Sequence, residues 1–252
     1  MKSMQIFQHA LRQVMNNLPA ALKVSGILYL VQALIGIAIG ARAMQGAMGP
    51  GMMGAGAAGA GILVFLVTLA AGVWIAVAWH RFVLLAEEPH TVLPPFLGDK
   101  MGAYFLKALL IGIALVALGM ILGMIVGVIA MPLFSAGAGL FGMMLVGVLV
   151  QVPMIFFGLR LATALPGAAL GVEHGFGAGW AATAEDWKTI LQLSVILAAV
   201  MLVLNLVGWL VFGGFGLLAQ LWQLIIGWPV MLVGLSVLTT LYGHYIQKRP
   251  LV

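Results

Sequence analysis

The chain has no cysteine among its 252 residues, which excludes disulfides, thiolate metal sites and cysteine nucleophiles. Charge is almost as scarce. Asp, Glu, Lys and Arg make up 7% of the residues, against about 25% in soluble proteins. No P-loop, G-x-S-x-G elbow or strand-borne dinucleotide fingerprint is present, so no nucleotide site or hydrolase nucleophile is indicated. What fills the chain instead is apolar: 64% of residues are hydrophobic and the mean hydropathy is +1.20. No soluble fold could cover so much apolar side chain with so little charge. The composition implies an integral membrane protein. The net charge of +5 comes from eleven scattered basic residues, not a stripe, and it fits topology and anionic lipid better than a nucleic-acid partner.

The charges divide the chain. Between Lys23 and Arg81 the one charge is Arg42; between Lys107 and Arg160, and between Lys188 and Lys248, there is none. Each interval holds 52 to 59 residues. One spanning helix needs about 20, so each interval fits two helices and a turn. Breakers fall near the middles: the glycine-rich segment 43–61, "MPLFSAGAG" from Met131 and "FGGFG" from Phe212. We therefore expect an all-α bundle of six spans, at about 24–40, 61–80, 105–131, 140–159, 190–211 and 217–242. Ten of the eleven basic residues fall on one side, which the positive-inside rule makes cytoplasmic, with both termini there. Trp79, Trp180, Trp187, Tyr104, Tyr242 and Tyr245 would form an inner aromatic belt, and Trp209 and Trp222 an outer one.

Two segments read as amphipathic helices lying in the interface. In the first, Met4, Phe7, Leu11, Val14 and Leu18 recur every three or four residues. In the second, "GFGAGWAATAEDWKTI", Trp180 and Trp187 stand seven apart.

The exits "WHRFVLLAEEP", "GLRLATALP" and "GHYIQKRP" resemble one another, as do the entrances around Lys23, Lys107 and Lys188. This suggests a pseudo-repeat of about 80 residues used three times, at about 1–89, 90–172 and 173–252 within one membrane domain. In that scheme Lys23, Arg81, Lys107, Arg160, Lys188 and His244 are interface anchors, and His80–Arg81 marks a membrane exit, with the arginine snorkelling.

No ionisable residue stands in mid-membrane. The spans offer Gln32, Gln151, Asn205, Gln220 and Gln223. Gln151, Asn205, Gln220 and Gln223 could line a polar pathway, or act as interhelical hydrogen-bond glue at about 0.6–2 kcal/mol each. Gly119, Gly123 and Gly127 share a helix face and suit close helix packing, within the chain or with another subunit. Met44, Met48 and Met52 have a spacing that could hold Cu(I), although the likeness to methionine-lined copper transporters is superficial: those have three spans. Glu87, Glu88 and His90, with Glu173 and His174, could bind a divalent metal, but they match no ligand signature. The simpler readings are a low-complexity loop and ordinary polar loops, so no metal and no cofactor is assigned.

The start "IFQHALRQVMNNLPAALKVSGIL", the six spans and the exit "WHRFVLL" resemble a broad group of bacterial inner-membrane proteins. That group includes YciC-like proteins and the membrane domain accompanying some glycerophosphodiester phosphodiesterases. The phosphodiesterase catalytic domain is absent here, so the resemblance implies a helical inner-membrane bundle and no activity. The proline–acid–basic signature of mitochondrial carriers, which also use three two-span repeats, is missing. The sequence leads to a non-enzymatic organising or accessory role, engaging lipid, partner helices or a second copy. A small-solute or ion transporter is the alternative. A substrate-sized polar cavity between the spans would favour the alternative, and a dry, tightly packed centre the first reading.

Overall fold

The computed structural model describes residues 1–46, 55–135, 137, 139–213 and 216–251. Met48 and Met52 lie outside them, as does the side chain of Met44. Among the described residues the regular elements are all helices: α1 (Lys2–Met15), α2 (Leu18–Gly46), α3 (Ala55–Leu85), α4 (Gly98–Ser135), α5 (Gly139–Ala162), α6 (Leu165–Leu170), α7 (Ala178–Ala182), α8 (Trp187–Phe212) and α9 (Leu217–Leu241). A π-turn, Tyr242–Ile246, continues α9.

Among the described residues six segments are long and apolar enough to cross a membrane: Leu18–Ile39, Gly59–Leu85, Gly98–Pro132, Gly142–Leu170, Trp187–Phe212 and Leu217–Ile246. Apolar side chains cover their outer faces too. On α4, Val116, Met120, Met124 and Val128 are 60–70% exposed, a surface that lipid tolerates and water does not. The protein is thus a multi-pass membrane protein with a six-helix bundle.

The helices pair as hairpins α2–α3, α4–α5 and α8–α9, and further contacts α3–α4, α5–α8 and α9–α2 close a ring, with α3 touching α9 across it. The C-terminal ends of α2, α4 and α8 lie at one end of the bundle, here called distal. The proximal end holds the termini, α1, α6, α7 and the longer loops. The core is concentrated proximally, in three clusters around Tyr104 and Ala169, around Ile6 and Leu193, and around Trp79 and Leu232.

Helix α1 differs from the expected interfacial stripe. Its buried residues are Ser3, Ile6, Ala10 and Val14, which face α8 and α9, while Met4, Leu11 and Met15 form an exposed apolar flank. The helix has three sectors: one against protein, one apolar and exposed, and one polar. Two staples fix its start to α8. Lys2 Nζ pairs with Asp186, and Ser3 Oγ donates to Gln192 Oε1 at 3.2 Å.

The second amphipathic helix is likewise corrected. Residues 183–186 interrupt it, leaving α7 as five residues packed on the end of α5. Arg160 packs against the break: its guanidinium lies 3.6 Å from the centre of the Trp180 ring, and it donates to Trp180 O at 2.9 Å and Thr183 Oγ1 at 3.1 Å. Gly179 permits this approach, because a Cβ there would stand 2.6 Å from Arg160 O.

The inner belt is mostly internal. Trp79, Tyr104, Tyr242 and Tyr245 are at most 7% exposed, whereas Trp180 and Trp187 are 36% and 43% exposed. The four buried rings carry polar atoms with partners inside the protein, which outcompete the headgroup region.

A candidate solute cavity in the distal half

In the proximal half, α9 is tied to its neighbours by a ladder of side-chain hydrogen bonds. Trp228 Nε1 donates to Ser25 Oγ on α2 at 2.8 Å, and Trp79 Nε1 on α3 donates to Ser236 Oγ at 2.9 Å. His80 joins α3 to two helices at once, with Nδ1 2.8 Å from Thr239 Oγ1 and Nε2 3.2 Å from the Tyr104 hydroxyl on α4. The roles follow from bookkeeping. The Thr239 hydroxyl donates to Leu235 O at 2.8 Å, so its oxygen accepts Nδ1–H of His80. Nε2 then accepts from Tyr104. His80 is a fully buried, neutral, doubly satisfied core residue and not the membrane exit expected of it. Its neighbour Arg81 pairs with Glu87 and donates to Ala169 O at 2.9 Å.

Above this ladder the α2–α3 and α8–α9 hairpins part. The gap is a cavity of about 970 Å³, lined by Gln32, Thr68, Asn205, Gln220 and Gln223 among aromatic and small residues. That is near the top of the range for small-molecule pockets and far larger than an ion requires. Asn205 lies seven residues before the end of α8, which places it about 10 Å below the distal rim. Tyr29 forms the floor, its hydroxyl donating to Leu224 O at 2.9 Å and resting against Gly227. Trp222 forms a wall. Its indole lies on Gly208, where a Cβ would stand 2.6 Å from the ring, and Nε1 donates to Leu204 O at 3.3 Å.

The polar lining is unevenly satisfied. Asn205 Nδ2 donates back to Met201 O at 2.7 Å, a bond within its own helix. Gln32 Oε1 is shielded and accepts no hydrogen bond from any described residue. No described residue lining the cavity is charged.

Of the expected pathway residues, the fold brings together Asn205, Gln220 and Gln223 and leaves Gln151, half-buried on α5, outside. Sequence reasoning noted Gln32 without placing it here, and it missed Tyr29 and Thr68. Gly119 meets Met154 of α5, where a Cβ would contact the thioether at 3.4–3.6 Å, while Gly123 and Gly127 are exposed with open space before them. Met120 and Met124 also point outward.

At the proximal end, Lys23 Nζ donates to Pro89 O at 3.4 Å, Lys188 lies 5.9 Å from the Trp187 ring, and His244 Nδ1 is 3.1 Å from Arg249 O. Glu88 and His90 line a smaller cavity of about 420 Å³ with Arg81 and Glu87. His174 stands apart from these, 3.2 Å from the Tyr242 hydroxyl. Burial, and then the charge of Lys107, holds this imidazole below its ordinary range. Among the described residues no three His, Asp or Glu side chains come close enough to hold one metal ion. Compared with protein-family models, curated proteins and solved structures, the chain finds no match.

Proposed function

We propose that this is a non-enzymatic protein of a bacterial inner membrane, with its termini in the cytoplasm, that takes up a small uncharged solute from the outer side and passes it inward. One observation carries this reading: Gln32, Thr68, Asn205, Gln220 and Gln223 converge on one cavity of about 970 Å³ between apolar helices. Polar groups so placed are costly unless they meet partners, and a packed structural bundle has no use for such a void. The excess of Lys and Arg at the proximal end supports the orientation. The hydrogen-bonded ladder from Trp228 to His80 seals the inner side, so passage requires α9 to part from α2 and α3 below the cavity. Pro229, inside α9 at the level of that seal, offers the hinge.

An organising role remains as the second reading. It is favoured by the outward-facing Gly123 and Gly127 and by the apolar flank of α1.

The test is flux. Proteoliposomes loaded with buffer are mixed with hyperosmotic glycerol or xylitol, and reswelling is followed by light scattering. Reswelling should outpace that of protein-free vesicles and be slowed by Gly36→Trp, which places an indole in open space within the cavity. Rates equal to those of empty vesicles for both solutes would refute passage.

A further inference from the structure

Independently of the distal cavity, we propose that Lys100, Lys107 and the end of α6 hold the headgroup of an anionic phospholipid. Most other cations at the proximal end have partners inside the protein. Lys2 and Arg81 pair with carboxylates, Arg160 stacks on Trp180, and Lys23 and Arg249 donate to the carbonyls of Pro89 and Leu84. Lys100 and Lys107 differ. Both are half-buried on α4, and among the described residues neither has an ion pair or a hydrogen-bond acceptor. The acids beside this region, Asp99 and Glu173, are exposed and pair with neither lysine.

Geometry gathers the two charges on one patch. Lys100 lies across Gly171, the left-handed residue that ends α6, where an added Cβ would collide with its Nζ. Capping α6 does not require it there. Gly167 O accepts from Val172 N–H at 2.9 Å, Ala168 O from Gly171 N–H at 3.2 Å, and Ala169 O from Arg81 at 2.9 Å. Lys107 follows two turns later on the same face of α4, and its Cα–Cβ bond leans toward the helix start and so toward Lys100. It stands close enough to His174 for its charge to help hold that imidazole below its ordinary range. The patch gathers positive charge that the described residues leave unanswered, so the fitting ligand is an anion.

Depth names the carrier of that anion. The span Gly98–Pro132 is 35 residues long, about 52 Å of helix, which exceeds the roughly 40–45 Å of a bilayer with its headgroups. Counted back from Pro132, Lys107 stands about 37 Å away, past a hydrocarbon core of about 30 Å and inside the headgroup layer. Lipid phosphates occupy that layer, and basic pockets between spanning helices hold acidic headgroups there. Beside Lys107 the exposed Leu106, Leu110 and Ile113 continue distally along α4 as one apolar stripe. That stripe seats an acyl chain, which a free phosphate does not have.

The experiment counts bound lipid. The full chain is reconstituted in phosphatidylcholine vesicles containing a minority of phosphatidylglycerol and released in mild detergent. Retained lipids are then scored by native mass spectrometry. In a second arm the detergent-solubilised chain is melted with inorganic phosphate or with phosphatidylglycerol, and the shift in Tm is compared.

Phosphatidylglycerol should be retained above its share of the bilayer and should raise Tm where phosphate does not. Lys100→Gln and Lys107→Gln should each weaken retention about fivefold, the worth of one lysine at an anionic surface. Lys107→Arg keeps the charge and should keep the lipid. Lys248→Gln removes the same charge from an exposed site and should change little. Thermal melts confirm that each variant folds. No preference for phosphatidylglycerol, or unchanged retention in a folded Lys100→Gln/Lys107→Gln double variant, overturns the site. An equal loss in Lys248→Gln reduces the effect to diffuse charge and overturns it too. So does a loss in Lys107→Arg as large as in Lys107→Gln, or equal stabilisation by inorganic phosphate.

Discussion

The link between His80 and Tyr104 can be tested as a double-mutant cycle. Tyr104→Phe removes the hydroxyl that donates to His80 Nε2 at 3.2 Å and strands that lone pair in a fully buried ring. His80→Leu instead strands the Tyr104 hydroxyl. It harms Thr239 little, because that hydroxyl keeps its own bond to Leu235 O at 2.8 Å. Each single change leaves one buried polar atom unmet, a cost of about 1–3 kcal/mol. Removing both partners leaves neither. The double variant should therefore cost less than the sum of the singles, by about 0.6 kcal/mol and at most about 1.7 kcal/mol, the average and the maximum found for interhelical hydrogen bonds in membranes. Reversible unfolding in mixed detergent–SDS micelles, followed by far-ultraviolet circular dichroism, reads each corner of the cycle. Additivity within about 0.3 kcal/mol would refute the coupling, and with it the account of His80 as a satisfied core residue.

Gly208→Ala should drive a methyl into the Trp222 indole, break the bond to Leu204 O and cost about 1–3 kcal/mol; an unshifted tryptophan emission spectrum would count against this. Arg160→Lys keeps the charge but loses the stacked fork over Trp180, a contact worth about 0.5–2 kcal/mol. The segment around α7 should then loosen, and trypsin should cut faster at Lys188; an unchanged rate there would refute the role given to Arg160.

Asp186 provides a pH test. Burial raises its pKa, but hydrogen bonds from Lys2, Thr189 and Tyr245 and the Lys2 charge overcome this, and the net shift is below the ordinary 3.8. A carboxylate depressed in the fold contributes stability above its unfolded value and loses it as pH falls through the folded one. Hydrogen-exchange protection of α1 should therefore drop below about pH 4, and Asp186→Asn should flatten that dependence. Equal acid sensitivity in the variant would remove Asp186 from the account.

The spans were legible because charge is so costly in lipid that its scarcity outlines them: each of the three long intervals, with at most one charge, holds a helical hairpin. Which side chains face inward was harder to read. "WHRFVLL" looks the same whether His80 leaves the membrane or turns inward, since both follow a hydrophobic run. The decisive signal lies about 160 residues away, in "SVLTT", where Ser236 and Thr239 put hydroxyls three apart on one face of α9. Such pairings between distant helices leave no local periodicity. The same limit split the candidate site. Asn205, Gln220 and Gln223 fall close together in sequence around one turn, and the fold unites them. Gln32 comes from another hairpin and Gln151 from a helix outside the cavity, differences that spacing does not encode. In α1 an apolar stripe could be seen, but two apolar sectors with different neighbours look like one.

The docking of α1 also bears on how the protein is made. Lys2 finds Asp186 across 184 residues, and the surface that buries Ile6 and Ala10 belongs to α5, α8, α9 and the π-turn. While a ribosome is still producing the middle of the chain, that surface does not yet exist. The first helix must wait with its bundle-facing side uncovered, and its apolar flank gives it a place to wait, at the bilayer surface beside the emerging hairpins. Its final seat forms after the α8–α9 hairpin inserts, so a helix made before the bundle is among the last parts to be locked.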